Sequence, residues 1–283
     1  MKYYLISELL NIKNKSQTSN TPNTPNTPEA PPENPASASP PAAVDIRESG
    51  YAERPEEYHE YILNKDTPFF IKESYNILRT NIVFALSGLE NKIIGVTSAE
   101  SSAGKSINCL NAAISFAAAG YNILLVDFDF RIPEIGRLLK LRESRGIANI
   151  LAGECSVEEA LIKSKIENLS VLLSGIVSQD PSKLLESEKM KELISGLAGR
   201  FDYVIVDMPP VNIVADPSII SKHVSGIIIT ARQKYTKRRA LKDAVNQLKL
   251  VNTNILGFLL NDFSDEFASG KKYYYYYNYS QKQ

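Results

Sequence analysis

From about residue 66 the apolar positions fall into two alternating rhythms. In "TPFFIKESYNILRTNIVFALSGL", Ile71, Tyr75, Leu78, Ile82 and Leu86 recur at helical spacing. The next segment, "KIIGVTS", is a short unbroken apolar run that predicts a buried strand, and "KSINCLNAAISFAAAG" predicts a helix ending on Gly120. "YNILLVDFD", "LSVLLSG", "FDYVIVDMPP", "GIIITARQ" and "NILGFLLND" repeat the strand pattern, alternating with helical stretches near 156–163, 183–199 and 235–250. Apolar strands separated by helices predict an α/β fold of three layers, a mainly parallel central sheet with helices on both faces. In such sheets ligands bind beyond the carboxyl ends of the strands.

Upstream the rhythm disappears. Residues 16–50 hold eight of the fifteen prolines, a "TPN/TPN/TPE" repeat and no aromatic residue. That composition buries too little apolar surface to offset chain entropy, so it predicts an extended, proline-stiffened linker. Residues 1–15 lead into it with the pattern of a short docking helix. The expected division is 1–50 for leader and linker, 51–269 for a folded domain and 270–283 for a flexible tail.

Charge removes some functions. Lysine and arginine number 32, as do aspartate and glutamate, so no global basic field argues for nucleic acid or for direct adsorption to an acidic membrane. Cys109 and Cys155 have no metal or disulfide-motif spacing, and His59 and His223 are isolated. No apolar run reaches the 18 or so residues that span a bilayer. A cytoplasmic location follows, with any membrane role supplied by a partner.

The strand ends carry the chemistry. "VTSAESSAGKSI" lies at a strand-to-helix junction and meets the phosphate-loop pattern G-x-x-x-x-G-K-[ST] at Gly104, Lys105 and Ser106, with Ala99 in place of the first glycine. Loop amides would face phosphate oxygens, Lys105 the β and γ phosphates, and Ser106 a magnesium ion. Asp127 and Asp129 alternate at the end of "LLVDFDFRIP", so both are expected to point the same way from an extended chain. Asp207 closes "YVIVD" in the position of a metal-holding acid. The last eleven residues contribute Tyr273, Tyr274, Tyr275, Tyr276, Tyr277 and Tyr279. Taken alone, that run suits a final strand, adhesive packing or a set of phosphate acceptors.

With these residues in view, the chain resembles the bacterial tyrosine kinases of capsule and exopolysaccharide synthesis, P-loop proteins related to the ParA/MinD ATPases. The likeness runs from about residue 66 to 279 and includes "ESYNILRTNI", the GKS loop, "LLVDFDFRIP", "RGIANILAGECSVEEAL", "SGIVSQDPSKLLES", "YVIVDMPPV", "ILGFLLND" and the tyrosine tail. The resemblance implies an ATP-dependent, magnesium-requiring autokinase. In it Ser102, Ala103, Gly104, Lys105, Ser106 and Ile107 cradle the nucleotide. Asp127 activates the incoming hydroxyl, Asp129 and Asp207 serve the metal with Ser106, Arg131 supports the aspartate strand or the phosphates, and Asn261 lies near the adenine. It also implies that a neighbouring subunit phosphorylates the tail. The expected partners are a transmembrane polysaccharide co-polymerase adaptor that recruits the chain to the inner membrane face, further copies in an oligomer such as a ring, and an opposing tyrosine phosphatase.

Three departures from the family pattern stand out. The loop reads "SSAGKS" where the family has "PGEGKS"-like residues. The E-x-x-R-x-x-R helix motif appears as Glu73, Asn76 and Arg79, lacking one arginine. Ile107 replaces the threonine after GKS. These leave two other readings open: a weakened nucleotide-binding scaffold of the same machinery, and a ParA/MinD-like positioning ATPase. Glu100 stands where the latter group has its signature lysine.

Overall fold

The computed structural model describes residues 2–4, 60–141, 145–176 and 180–262. The proline-rich leader and the tyrosine tail lie outside the described residues. Strands β1 (Lys2–Tyr4), β2 (Ile93–Ser98), β3 (Ile123–Asp127), β4 (Ile162–Lys163), β5 (Leu169–Leu172), β6 (Tyr203–Asp207), β7 (Gly226–Arg232) and β8 (Ile255–Asn261) form one sheet. Its order is β1-β8-β7-β2-β6-β3-β5-β4. The six inner strands are parallel; β1 and β4 close the two edges antiparallel.

The strand sequences show why the sheet has two covered faces. In β3, Leu124 and Val126 belong to one core cluster while Ile123 and Leu125 belong to the other. Val204 and Val206 of β6 separate from Tyr203 and Ile205 in the same way. Alternate side chains therefore leave on opposite sides, and both sets are apolar. Helices α1 (Phe69–Ala85) and α2 (Lys105–Ala118) cover one face; α4 (Ile147–Ala152), α6 (Pro181–Leu185), α7 (Glu188–Ala198) and α9 (Arg238–Leu250) cover the other. The short helices α3 (Ile135–Leu138), α5 (Val157–Ala160) and α8 (Asp216–Ile220) complete the set.

The expected fold class is what the chain adopts, with local corrections. In α1, Tyr75, Leu78 and Ile82 are buried as the spacing predicts, and Leu86 is the buried cap residue. The helical stretch near 156–163 stops at Ala160 and gives way to β4, because Leu161 is extended. The stretch 183–199 is two helices, divided where the Ser187 side chain accepts from the Met190 amide and starts α7 anew. At the start of the chain, Lys2–Tyr4 pair with β8 as a strand.

Candidate active site

The phosphate-loop sequence sits where the fold predicts, between β2 and α2. Backbone geometry explains "AGKS". Gly104 has φ 87°, and a Cβ there would collide with the side-chain amides of Asn261 and Asn108, so the position requires glycine. Ser102 also has positive φ, 59°, with a side chain to carry, at a cost of roughly 1–2 kcal/mol. Ala103 is fully buried, and its carbonyl accepts a hydrogen bond from Asn261 Nδ2 at 3.1 Å. Asn261, expected beside a base, thus touches the loop from the end of β8. Ile107 is half-buried and packs into the α1/α2 core.

Lys105, Asp129 and Asp207 come together. Lys105 Nζ lies 2.8 Å from Asp129 Oδ2, 3.2 Å from both Asp207 oxygens and 3.1 Å from Ser106 Oγ. Burial alone would lower the lysine pKa, but Asp207 and Asp129 outweigh it and hold the ammonium charged well above its ordinary range. Burial raises the Asp207 pKa to about 6, against the opposing pull of Lys105 and Ser106. Among the described residues no three acidic, histidine or cysteine side chains could by themselves hold a metal ion.

Asp127 and Asp129 do not share a direction. β3 ends at Asp127, and the chain turns there because the Asp129 amide donates to Asp127 Oδ1 at 3.0 Å. Asp127 is fully buried beside Asp207, its register partner in β6, and its Oδ2 accepts from the Glu134 and Ile135 amides. Burial and then Asp207 push its pKa well above the usual carboxylate range. Asp129 turns instead toward Lys105, its other oxygen accepting from the Arg131 and Ile132 amides. The Arg131 side chain points away, its guanidinium clamping the buried Asp216 at 2.9 and 3.3 Å, while Ser182 Oγ donates to the same carboxylate at 2.9 Å.

Two contributors escaped sequence reasoning. Asn108 Nδ2 donates to the Gly104 carbonyl at 2.7 Å, and its Oδ1 accepts from the Tyr75 hydroxyl at 2.8 Å. Asn111 Nδ2 donates to that hydroxyl and to the Tyr61 carbonyl, while Asn111 Oδ1 accepts from the Leu63 amide. The phosphate loop is therefore pinned through α2 to α1 and to residues 61–63. Two asparagines buried inside an alanine-rich helix, where they favour neither helix nor core, were the available signal. Asp216 gave none beyond its place after "VDMPP". On α1, Arg79 Nη1 is committed inward, donating to Ser115 O at 2.7 Å, Ser115 Oγ at 2.9 Å and Asn76 Oδ1 at 3.0 Å, and Asn76 donates to Glu73. The six tail tyrosines lie outside the described residues.

Comparison with known proteins gives this arrangement a family. The family model described as AAA domain matches residues 91–259. The tyrosine-protein kinase CpsD of Streptococcus pneumoniae serotype 4 is 39% identical over 196 residues, covering 68% of this chain and 86% of that protein. The crystal structure of the chimerical protein CapA2B2 superposes with TM-score 0.69 at 29% identity, covering 73% of this chain and 91% of that one. The septum site-determining protein MinD of Pyrococcus horikoshii, crystallised with Mg-ADP, shares the fold at TM-score 0.54 and 22% identity over 62% of this chain and 72% of its own. The 39% identity to CpsD over two thirds of this chain, with a phosphate loop backed by strand-end acids on the fold shared with CapA2B2, places the chain in the bacterial tyrosine-kinase family of P-loop proteins.

Proposed function

We propose that this chain is an ATP-dependent protein-tyrosine kinase whose acceptors are the tyrosines Tyr273–Tyr277 and Tyr279 on the tail of a neighbouring copy. The observation that carries this reading is the convergence of Lys105, Ser106, Asp129 and Asp207 within hydrogen-bond distance at the carboxyl ends of adjacent strands. In the transfer, the tyrosine oxygen bonds to the γ-phosphorus as the bond from that phosphorus to the β–γ bridging oxygen breaks. ADP departs with that electron pair, and the phenol proton passes to a carboxylate. Asp127 is our candidate acceptor, because burial makes its carboxylate more basic. To act, it must be released by at least one of the amides that now hold it.

The oxygen donors of Ser106, Asp129 and Asp207 suit magnesium and would hold it together with the nucleotide phosphates. When bound, the ion would offset charge on the β and γ phosphates. Lys105 now spends its three N–H donors on Asp129, Asp207 and Ser106, and would exchange at least one of these partners for a phosphate oxygen when nucleotide binds. Ser102, Ala103, Gly104 and Ile107 supply the cradle, and Asn261 steadies it through Ala103. The loop strain at Ser102 favours one other reading, a nucleotide-binding scaffold of reduced activity.

No helix among the described residues is long and apolar enough to cross a membrane. A transmembrane polysaccharide co-polymerase adaptor is accordingly the recruiter we propose, with capsule or exopolysaccharide export as the process regulated and a tyrosine phosphatase resetting the tail. Incubating the purified chain with Mg-ATP and probing for phosphotyrosine tests the reading. Signal is expected from the wild type, with and without an adaptor's cytoplasmic segment, and none from Lys105→Met. Equal signal from Lys105→Met would refute it, and silence under every condition would favour the scaffold.

A further inference from the structure

The chain as a whole is neutral, yet one stretch is not. Residues 232–242, "RQKYTKRRALK", hold six basic residues and no acid. They run from the end of β7 through the first turns of α9. Since β7 is parallel to β2 and beside it, they occupy the same edge of the sheet as the phosphate loop. Lys237, Arg238, Arg239 and Lys242 are exposed. Among the described residues, carboxylates of three neighbours reach this collar. Glu100 of the phosphate loop accepts from the Lys237 backbone amide, Asp243 approaches Arg239 at 3.9 Å, and Asp262 pairs with Arg232 at 3.0 Å. The four exposed cations Lys237, Arg238, Arg239 and Lys242 outnumber the two acids, Glu100 and Asp243, that reach them among the described residues.

That excess sits at the wrong end of a helix. The amino terminus already carries the positive end of the helix dipole, where acids are favoured and cations cost stability. The first turn of α9 contains no acid. Such a cluster fits an anionic partner better than it fits folding. Neither lipid nor nucleic acid suits it. A helix that lies on a membrane needs its apolar face for the lipid, and α9 has buried Ala244 and Leu248 against the sheet. A nucleic-acid binder would carry its basic character more widely.

The chain's own tail is better placed. Asp262, bonded to Arg232 at the edge of the collar, immediately precedes it. Tyr273 follows eleven residues later, a reach of up to about 36 Å, which exceeds the roughly 20 Å length of α9. Beyond Asp262 the chain carries Lys271, Lys272 and Lys282 against Asp265 and Glu266, so the side chains of the unmodified tail sum to +1 and a basic collar offers it no attraction. Each phosphotyrosine adds about −1.5 to −2 charges, so two phosphates reverse the sign.

From this charge reversal we infer that the phosphorylated tail docks on the collar of its own subunit, its phosphotyrosines held by Lys237, Arg238, Arg239 and Lys242. The modified tail is thereby withdrawn from a neighbour's site. This rests on the tail being the kinase's acceptor, but its test does not need the kinase to work. A fluorescent peptide of residues 271–283, either unmodified or phosphorylated at three tyrosines, is titrated into the full chain. The phosphopeptide should bind about tenfold or more tightly than the unmodified one, with an affinity that falls as salt rises. A Lys237→Ser/Arg238→Ser/Lys242→Ser variant with unchanged melting temperature should lose that preference. A full chain whose own tail has been phosphorylated by an unrelated tyrosine kinase should bind the phosphopeptide about tenfold less well, because the site is filled. Equal binding of the two peptides, undiminished binding by the variant, undiminished binding by the phosphorylated chain, or binding to phosphatidylserine vesicles in place of the phosphopeptide would each overturn the inference. Phosphopeptide docking by a chain that makes no phosphotyrosine would leave the inference standing and remove the kinase reading.

Discussion

Ser102 and Tyr75 act on the phosphate loop in opposite senses. Ser102 holds a left-handed backbone that its side chain disfavours. Ser102→Gly should therefore stabilise the fold by about 1 kcal/mol and tighten nucleotide binding, read by urea denaturation and by titration with a fluorescent ADP analogue. An unchanged or weakened pair of values would mean that the serine hydroxyl contributes a contact of its own. Tyr75 steadies the same loop through Asn108. Tyr75→Phe removes only the hydroxyl and should raise KM for ATP several-fold more than it lowers kcat, as the loop loses a fixed carbonyl. Burial raises the Tyr75 pKa to about 12 from an ordinary 10. The fold thus favours the neutral phenol: its contribution is complete below pH 10 and is lost as pH climbs toward 12. The wild type should lose about 2–3 kcal/mol over that window that Tyr75→Phe does not, measured by denaturation at pH 9 and pH 12.

At the scale of elements, the strand ends are organised by turns and clamps that periodicity does not encode. Apolar runs announce where β2, β3 and β6 lie, so Lys105, Asp127 and Asp207 were legible from spacing alone. The nearness of Asp129 to Lys105 was legible, but its direction was not, because alternation holds only inside a strand and β3 stops at Asp127. The Asp216 clamp was illegible: an acid nine residues beyond a strand end, bonded to Arg131 across 85 positions, leaves no local signature. The clamp is coupled to the candidate site because the Arg131 and Ile132 amides hold Asp129. Arg131→Ala strands Asp216 without its cation and should cost about 3 kcal/mol in urea denaturation. Asp216→Asn keeps the shape and relaxes the charge; it should lower phosphotransfer about tenfold while leaving ADP binding within about twofold. Loss of ADP binding in step with transfer would show that the clamp serves the phosphate loop instead.

For the whole molecule, a sheet covered on both faces gathers one cation, one hydroxyl and three acids at the carboxyl ends of its strands, and the tyrosines proposed as acceptors follow β8 in sequence. Helix α1 joins the two levels. Its inner face pins the phosphate loop through Tyr75, and Arg79 of the incomplete E-x-x-R-x-x-R motif is turned inward to Ser115. With Nη1 committed to Ser115 and Asn76, Arg79 serves the packing of α1 on α2. Arg79→Ala is predicted to leave the oligomeric state unchanged in sedimentation velocity and to lower the melting temperature by several degrees.

Complementation between two defective chains tests the central proposal most directly. Lys105→Met retains the tail and lacks the phosphate-gripping lysine; a chain ending at residue 269 retains the site and lacks the acceptors. Neither should label itself with Mg-ATP. Mixed, they should yield phosphotyrosine on the Lys105→Met chain alone, mapped by mass spectrometry to Tyr273–Tyr279. A mixture that stays unlabelled while the wild type labels would contradict transfer between copies, and labelling of Lys105→Met by itself would contradict the site.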